Sequence, residues 1–112
     1  MKHSYEMQAE ICKTLANPKR IEIIDLLSRG ERSVAWLLDK TGLLKANLSQ
    51  HLSIMRAKGI LQARKEGLTV YYRIANPKVV KACDLMREVL LEQSKLQENN
   101  RAGYSRIGFP KS

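Results

Sequence analysis

Residues 45–59, KANLSQHLSIMRAKG, are the stretch around which the rest of the chain is organised. Read as a helix, this stretch places Leu48, Leu52 and Met55 on one apolar stripe, together with the preceding Leu44. At about 100° per residue, the opposite face carries small and polar side chains and almost no acid. Such a face suits the major groove of DNA, where amide and hydroxyl groups meet base edges. An ordinary solvated helix surface is the alternative.

The 112-residue chain has a formal net charge of +9, and its basic residues are concentrated in one part of the sequence. Residues 1–39 hold six basic and six acidic residues, whereas residues 40–81 hold nine basic residues and one acid, Glu66. A charge needed only for solubility would be spread along the chain. The concentration indicates a polyanionic partner, most simply nucleic acid. A membrane surface is less favoured, because these residues do not form one long basic amphipathic helix.

The length suits one domain with a modest core, and a domain of this size often gains stability by forming dimers. The sequence has no run of about eighteen consecutive apolar residues, the length that could span a membrane. Residues 1–13 lack the apolar segment of a signal peptide. We therefore expect a cytoplasmic protein, in which the two cysteines are reduced and do not form a disulfide framework.

Proline and glycine divide the remainder of the chain into further elements. The part before residue 45 reads as three helices, over residues 4–15, 18–28 and 34–40. The third of these helices is followed by Thr41-Gly42 and then by residues 45–59. A helix, a short turn that contains glycine and a second helix form a helix-turn-helix.

Residues 60–65 and 69–74 read as two strands that turn at Glu66-Gly67. A two-stranded hairpin is marginal alone, so it must pack on the helices. Its tip carries basic side chains that could touch a phosphate or a minor groove. Alternatively, they form a charged edge that blocks aggregation between sheets.

A long apolar helix is predicted after Asn76-Pro77, with its end near residue 97. The preceding helices already supply a core for one small domain. The surplus apolar surface therefore predicts a homodimer in which the last helix packs on another copy, with the first helix beside it. Residues 98–112 lose the apolar periodicity and are predicted to be a mobile tail. The predicted organisation is one domain over residues 1–97 followed by this tail.

The predicted DNA contacts lie on three elements. Two cations lie in the first turn of the second helix, where the helix dipole disfavours positive charge. A phosphate bound at this helix start would offset that cost. Equally well, the cost is small and is tolerated at the surface. The remaining contacts lie on the helix of residues 45–59 and on the hairpin. The full set is Lys19, Arg20, Lys45, Asn47, Ser49, Gln50, His51, Ser53, Arg56, Arg64, Lys65 and Tyr71.

By these features the chain resembles the ArsR/SmtB family of winged-helix bacterial repressors. The stretches that carry the resemblance, in order, are LANPKRIEIIDLL, GERSVAWLLDKTG, LSQHLSIMRAKGIL and RKEGLTVYYRIANP. The resemblance implies a mainly α fold with a small β-hairpin, that is, a winged helix-turn-helix of five helices and a two-stranded wing. It also implies a homodimer joined through its first and last helices. Two recognition helices would then enter successive major grooves of an inverted repeat, with the wings on the flanking DNA.

Residues 49–52 match the family's Ser-x-His-Leu segment, whereas Ala46 stands where a serine is common. Members of the family typically repress their own operon and release DNA when an inducer binds. The familiar inducer sites are missing here. The third-helix metal site uses Cys-x-Cys, where this chain has Ser33 and Ala35, and the last-helix zinc site uses histidines, none of which follows His51. We therefore expect no metal site of the familiar kinds and no cofactor.

Cys12 and Cys83 lie on the predicted first and last helices, which pack together in the family fold. Three roles are open for them. Thiol oxidation, by disulfide or polysulfide bridging, could shift the dimer. A thiophilic ion such as arsenite could bind, although three thiolates are usual. Otherwise each cysteine is a small buried apolar side chain.

The predicted function is therefore a sequence-specific DNA-binding transcriptional repressor that an inducer releases from its operator. Cys12 and Cys83 are the candidate sensing residues, for thiol oxidation or reactive sulfur and, less favoured, for a thiophilic metal such as arsenite. The alternative is a winged-helix dimerisation or protein-interaction module that binds nucleic acid without sequence preference. An enzyme is least favoured, because the sequence has no phosphate-binding glycine loop, no nucleophile elbow and no cluster of histidines and carboxylates.

Overall fold

The structure, a computed structural model, describes the backbone of residues 2–103 and the side chains of residues 3–96. Five helices and three strands follow one another in this part of the chain. They are α1 (Lys2–Leu15), α2 (Pro18–Leu26), β1 (Arg32–Ser33), α3 (Val34–Thr41), α4 (Lys45–Ala57), β2 (Leu61–Glu66), β3 (Thr69–Ile74) and α5 (Lys78–Gly103). The chain divides into a first unit of residues 1–80 and a second unit of residues 81–112.

The junction between α1 and α2 is made by Asn17 and Pro18, as the sequence predicts. Asn17 has an extended backbone, and its Oδ1 accepts hydrogen bonds from the backbone amides of Lys19 at 2.9 Å and Arg20 at 3.2 Å. This cap satisfies amides that have no partner inside the helix. Pro18 fits the first turn because its fixed φ suits a helix and it has no amide hydrogen to satisfy.

The core of the first unit differs from the prediction on α2. The apolar spacing of residues 18–28 predicts a core face made of Ile21, Ile24, Leu26 and Leu27. In the structure Ile23, Ile24 and Leu27 are buried, whereas Ile21 is exposed. α2 ends at Leu26, two residues before the predicted end. The remaining buried apolar side chains come from α3, α4 and the hairpin, and they are Leu37, Leu48, Leu52, Met55, Ile60, Leu61 and Tyr72.

Helices α3 and α4 are joined by a tight turn that begins at Gly42. Gly42 has φ 68° and ψ 12°, a left-handed conformation that favours glycine, and its amide donates to the carbonyl of Leu38 at 3.0 Å. Leu44 is the N-cap residue of α4 and is 74% exposed. The prediction that Leu44 belongs to the buried stripe is therefore wrong, because the extended backbone before α4 takes its side chain away from that stripe.

The hairpin is part of a three-stranded antiparallel sheet with strand order β1-β3-β2. β2 pairs with β3 from Leu61 opposite Ile74 to Glu66 opposite Thr69, so the turn falls at Gly67 and Leu68. The two residues of β1 pair with Tyr71 and Tyr72 on the other edge of β3. The sequence gives no strand signal for β1, because two residues are too few to show an alternating pattern.

Helix α5 runs to Gly103, beyond the predicted end near residue 97. The prediction ended the helix where the apolar spacing stops. Glu98, Arg101 and Ala102 are good helix formers, so the backbone can stay helical after the apolar stripe has ended. The mobility of the predicted tail over residues 98–112 stays a prediction, and residues 104–112 lie outside the described residues.

Candidate nucleic-acid interface

The outward face of α4 presents the polar side chains that are predicted to meet DNA. The apolar stripe on its other side is buried, with Leu48, Leu52 and Met55 at 1% exposure or less. The predicted contacts of α4 that are exposed are Lys45, Asn47, Ser49, Gln50, Ser53 and Arg56. The middle of the helix thus offers neutral amide and hydroxyl groups, whereas its two ends offer cations.

A cleft of about 450 Å³ lies between α4, α3 and the wing, which is the β2–β3 hairpin. Lys45, Ser49 and Ser53 line the cleft on the side of α4, and Leu68 and Thr69 line it on the side of the wing. Sequence reasoning does not find this cleft, because it depends on how the wing packs on the helices. The cleft places the polar face of α4 next to the wing on one continuous surface.

His51 is oriented differently from the other predicted contacts on α4. It is half-buried, and its Nδ1 accepts a hydrogen bond from Arg20 Nε at 3.1 Å. Arg20 also donates from its terminal amino group to the backbone carbonyl of Thr14 at 3.0 Å. Burial, and then the charge of Arg20, lower the pKa of His51 below its usual value. The structure therefore brings these two predicted contacts together.

Lys19 shares the first turn of α2 with Arg20 but has a different partner. Its ammonium lies 3.2 Å from a carboxylate oxygen of Glu22, one turn along the helix. Both side chains are partly exposed, so the pair is weak and can yield to a phosphate. The two cations that the sequence groups together thus have separate environments.

Arg64 on β2 is held by two carboxylates and an aromatic ring. Its guanidinium lies 2.8 Å from a Glu31 oxygen, and it also pairs with Glu66. The guanidinium carbon lies 4.5 Å from the centre of the Tyr71 ring, within cation–π range. The hydrogen bond and charge of Arg64 lower the pKa of Glu31, and the two carboxylates raise the pKa of Arg64. Glu31 and Arg64 therefore stay ionised around neutral pH.

The two neighbouring cations of β2 are therefore in different states. Arg64 is engaged with Glu31 across the sheet, whereas Lys65 is exposed and makes no ion pair with any residue whose side chain is described. Tyr71 is half-buried and supports Arg64, so the two predicted contacts form one cluster. Glu31 is the member that sequence reasoning missed, since it precedes the unpredicted strand β1.

A second cation–π cluster surrounds the only tryptophan. The guanidinium carbon of Arg32 lies 4.4 Å from the centre of the Trp36 ring, and the Lys40 ammonium lies 5.6 Å from it. Trp36 is half-buried on α3.

The two cysteines have different environments. Cys12 is exposed on α1, and Cys83 is half-buried on α5. Burial, and then the charge of Asp84, raise the pKa of Cys83, with a smaller opposing effect of Arg87. A raised pKa lowers the thiolate fraction, so Cys83 is less nucleophilic at neutral pH than an unperturbed thiol.

Among the side chains that the structure describes, no three His, Cys, Asp or Glu residues converge as a metal-binding group would require. Within the same part of the chain, no helix combines the length and the apolar character needed to cross a bilayer.

Comparison with known proteins agrees with this fold. The family model described as "Bacterial regulatory protein, arsR family" matches residues 17–63. Rv0081, an HTH-type transcriptional regulator of Mycobacterium tuberculosis, is 40% identical over 106 residues, which cover 90% of this chain and 93% of that protein. Its crystal structure has a TM-score of 0.75 over 81% of this chain and 92% of that one.

Two further relatives are named as a homodimer and as a repressor. A solution structure from Mycobacterium bovis, named as a homodimeric winged helix-turn-helix DNA-binding domain, has a TM-score of 0.76 at 34% identity, covering 84% of this chain and 87% of that one. The transcriptional repressor PagR of Bacillus anthracis is 39% identical over 77 residues, which cover 68% of this chain and 77% of PagR.

The five helices, the wing and these neighbours define a winged helix-turn-helix, as the sequence predicts. The chain belongs to the ArsR family of bacterial regulatory proteins. It is accordingly a transcriptional regulator and not an enzyme.

Proposed function

We propose that the chain is a homodimeric, sequence-specific DNA-binding repressor that reads its operator with α4. The observation that supports this most is the division of α4 into two faces. Three apolar side chains are fully buried, and the neutral hydrogen-bonding side chains on the other face are all exposed. This polar face lies in the basic part of the sequence, which suits a helix that enters a major groove.

The proposed contacts have two kinds of function. Asn47, Ser49, Gln50 and Ser53 contact base edges and provide sequence preference. The cations contact phosphates and provide affinity for any DNA. These proposed phosphate contacts are Lys19, Lys45, Arg56, Arg64 and Lys65, and Tyr71 supports Arg64 within the wing.

The dimer is proposed from α5 and α1. Large apolar side chains are exposed on both helices, although α5 carries most of them. On α5 they are Leu85, Met86, Val89, Leu90, Leu91 and Leu96. The Mycobacterium bovis relative is named as homodimeric. A twofold dimer would present two copies of α4 to an inverted-repeat operator. We place this regulator in the cytoplasm, where it would meet DNA.

An inducer is proposed to act through Cys12 and Cys83. Oxidation of two thiols to one disulfide releases two protons and two electrons, which an oxidant such as a polysulfide accepts. Cys12 is exposed and accessible to such a reagent, whereas the raised pKa of Cys83 makes it the slower thiol. A thiophilic ion such as arsenite is the less favoured inducer. If Cys12→Ser or Cys83→Ser protein still releases DNA with the inducer, the thiol proposal is wrong.

The proposal is tested by selecting duplexes from a random pool with reduced protein and measuring affinity by fluorescence anisotropy. We expect a palindromic site that binds at least about a thousandfold more tightly than scrambled DNA at physiological salt. The measurement is repeated with polysulfide-treated protein and with arsenite. Equal affinity for selected and scrambled duplexes would contradict the repressor proposal and favour the interaction module.

A further inference from the structure

Arg20 and His51 are predicted from the sequence as separate DNA contacts, yet the structure bonds them to each other. Arg20 Nε donates to His51 Nδ1 at 3.1 Å, and its terminal amino group donates to the Thr14 carbonyl at 3.0 Å. Thr14 belongs to α1, Arg20 to α2 and His51 to α4. One guanidinium therefore connects three helices.

The protonation state of His51 follows from this contact. A guanidinium has donors only, so Nδ1 must be unprotonated, and the proton of the neutral ring is on Nε2. Burial and the charge of Arg20 lower the pKa of His51 below 6.5, which favours the neutral ring at pH 7. Arg20 is the charged group that acts on the ring. At the end of α4, the ammonium of its C-cap residue Lys58 lies 3.3 Å from a carboxylate oxygen of Glu10 on α1.

We infer that Arg20 and His51 are positioning residues, which fix the orientation of α4 relative to α1. The inference rests on the proposed role of α4 in reading DNA. We call the hydrogen bonds of Arg20 to His51 and to the Thr14 carbonyl the bridge. Gln50 precedes His51 in the chain, so a rotation of α4 that breaks the bridge also turns Gln50 away from its base. Cys12 lies on α1 two residues before Thr14. A displacement of α1 at Cys12 would therefore shift Thr14 and, through the bridge, the orientation of α4.

The bridge requires a donor of fixed geometry at position 20 and a hydrogen-bond acceptor at position 51. The planar guanidinium donates from two nitrogens in fixed directions, whereas the single ammonium of a lysine cannot reach both acceptors in the same geometry. On the other side, an asparagine at position 51 can place an amide oxygen close to the position of Nδ1. A phenylalanine keeps the ring shape but accepts no hydrogen bond.

The first test measures the ratio of affinities for a selected duplex and a scrambled duplex. Arg20→Lys and His51→Phe should each reduce this ratio about tenfold or more, and the double variant should be no worse than the poorer single variant. His51→Asn should keep the ratio within about threefold of the original. Additive losses in the double variant, or a normal ratio for Arg20→Lys, would overturn the bridge in favour of two independent contacts.

The salt dependence separates positioning from phosphate contact. Arg20→Gln should leave the slope of log K against log salt unchanged for scrambled DNA. Lys19→Gln, the matched loss of one charge in the same helical turn, should reduce that slope by about 0.9. A similar reduction for Arg20→Gln would show a direct phosphate contact and would contradict the inference.

Two further readouts keep this inference separate from the repressor proposal. Acidification through the lowered pKa of His51 puts a proton on Nδ1, and repulsion by Arg20 then replaces the hydrogen bond. The affinity ratio should therefore fall with acidification in the unchanged protein and stay flat in His51→Asn. Without any DNA, amide hydrogen exchange in α4 should be faster in His51→Phe and Arg20→Lys than in His51→Asn. Equal exchange in all three would refute the bridge even if operator binding fails.

Discussion

Leu90 on α5 offers a quantitative test of the proposed dimer. The side chain is 57% exposed in the single protomer. Complete burial of a leucine contributes about 1.5–3 kcal/mol, so burial of the exposed part contributes about 0.9–1.7 kcal/mol. A twofold axis applies the substitution twice, and Leu90→Ala should therefore weaken the dimer by about 2–3 kcal/mol. The dissociation constant of the dimer should rise roughly 30- to 160-fold.

Sedimentation equilibrium over a series of protein concentrations measures this dissociation constant directly. Leu68→Ala is the matched control, because Leu68 is 98% exposed at the turn of the wing, outside α1 and α5. The control should leave the dissociation constant unchanged. An unchanged constant for Leu90→Ala, or an equal change in both variants, would show that α5 does not form the interface.

Four further variants test the packing of α4, the start of α2 and the wing. Leu52→Ala should lower the free energy of unfolding by about 2–5 kcal/mol, because Leu52 is 1% exposed, and urea unfolding by circular dichroism measures the loss. Asn17→Ala should cost about 0.5–2 kcal/mol in the same experiment, since two amides lose their cap, and no change would show that the cap is dispensable. Lys65→Ala should weaken binding to all DNA alike and reduce the salt slope by about 0.9. Arg64→Ala should also weaken binding to all DNA alike and make the salt slope shallower. A loss of affinity confined to the operator would contradict the proposal that the wing contacts phosphates.

Elements with strong local signals could be predicted from the sequence. The Asn17-Pro18 junction, the turn at Gly42 and the buried stripe of α4 all depend on residues close together in the chain. Errors occurred where the chain changes direction. Leu44 has the right spacing for the stripe of α4, but it precedes the helix, so its side chain is exposed.

The contacts within the candidate interface could not be predicted in the same way. Arg20 and His51 are 31 positions apart, and Arg64 and Glu31 are 33 apart. Hydrogen bonds over such separations depend on the packing of whole elements, for which periodicity gives no signal. The sequence therefore identifies the residue types and the exposed face of α4, whereas the structure shows which of these residues are already engaged.

Gln50→Ala tests whether the exposed face of α4 reads base sequence. The measurement is anisotropy at about 0.15 M salt on a selected duplex and a scrambled duplex. Because Gln50 is exposed, the melting temperature should be unchanged. The affinity ratio should fall about 5- to 150-fold, the discrimination of one well-placed base contact, while scrambled DNA binds as before. An equal loss of affinity for both duplexes would contradict this function of α4.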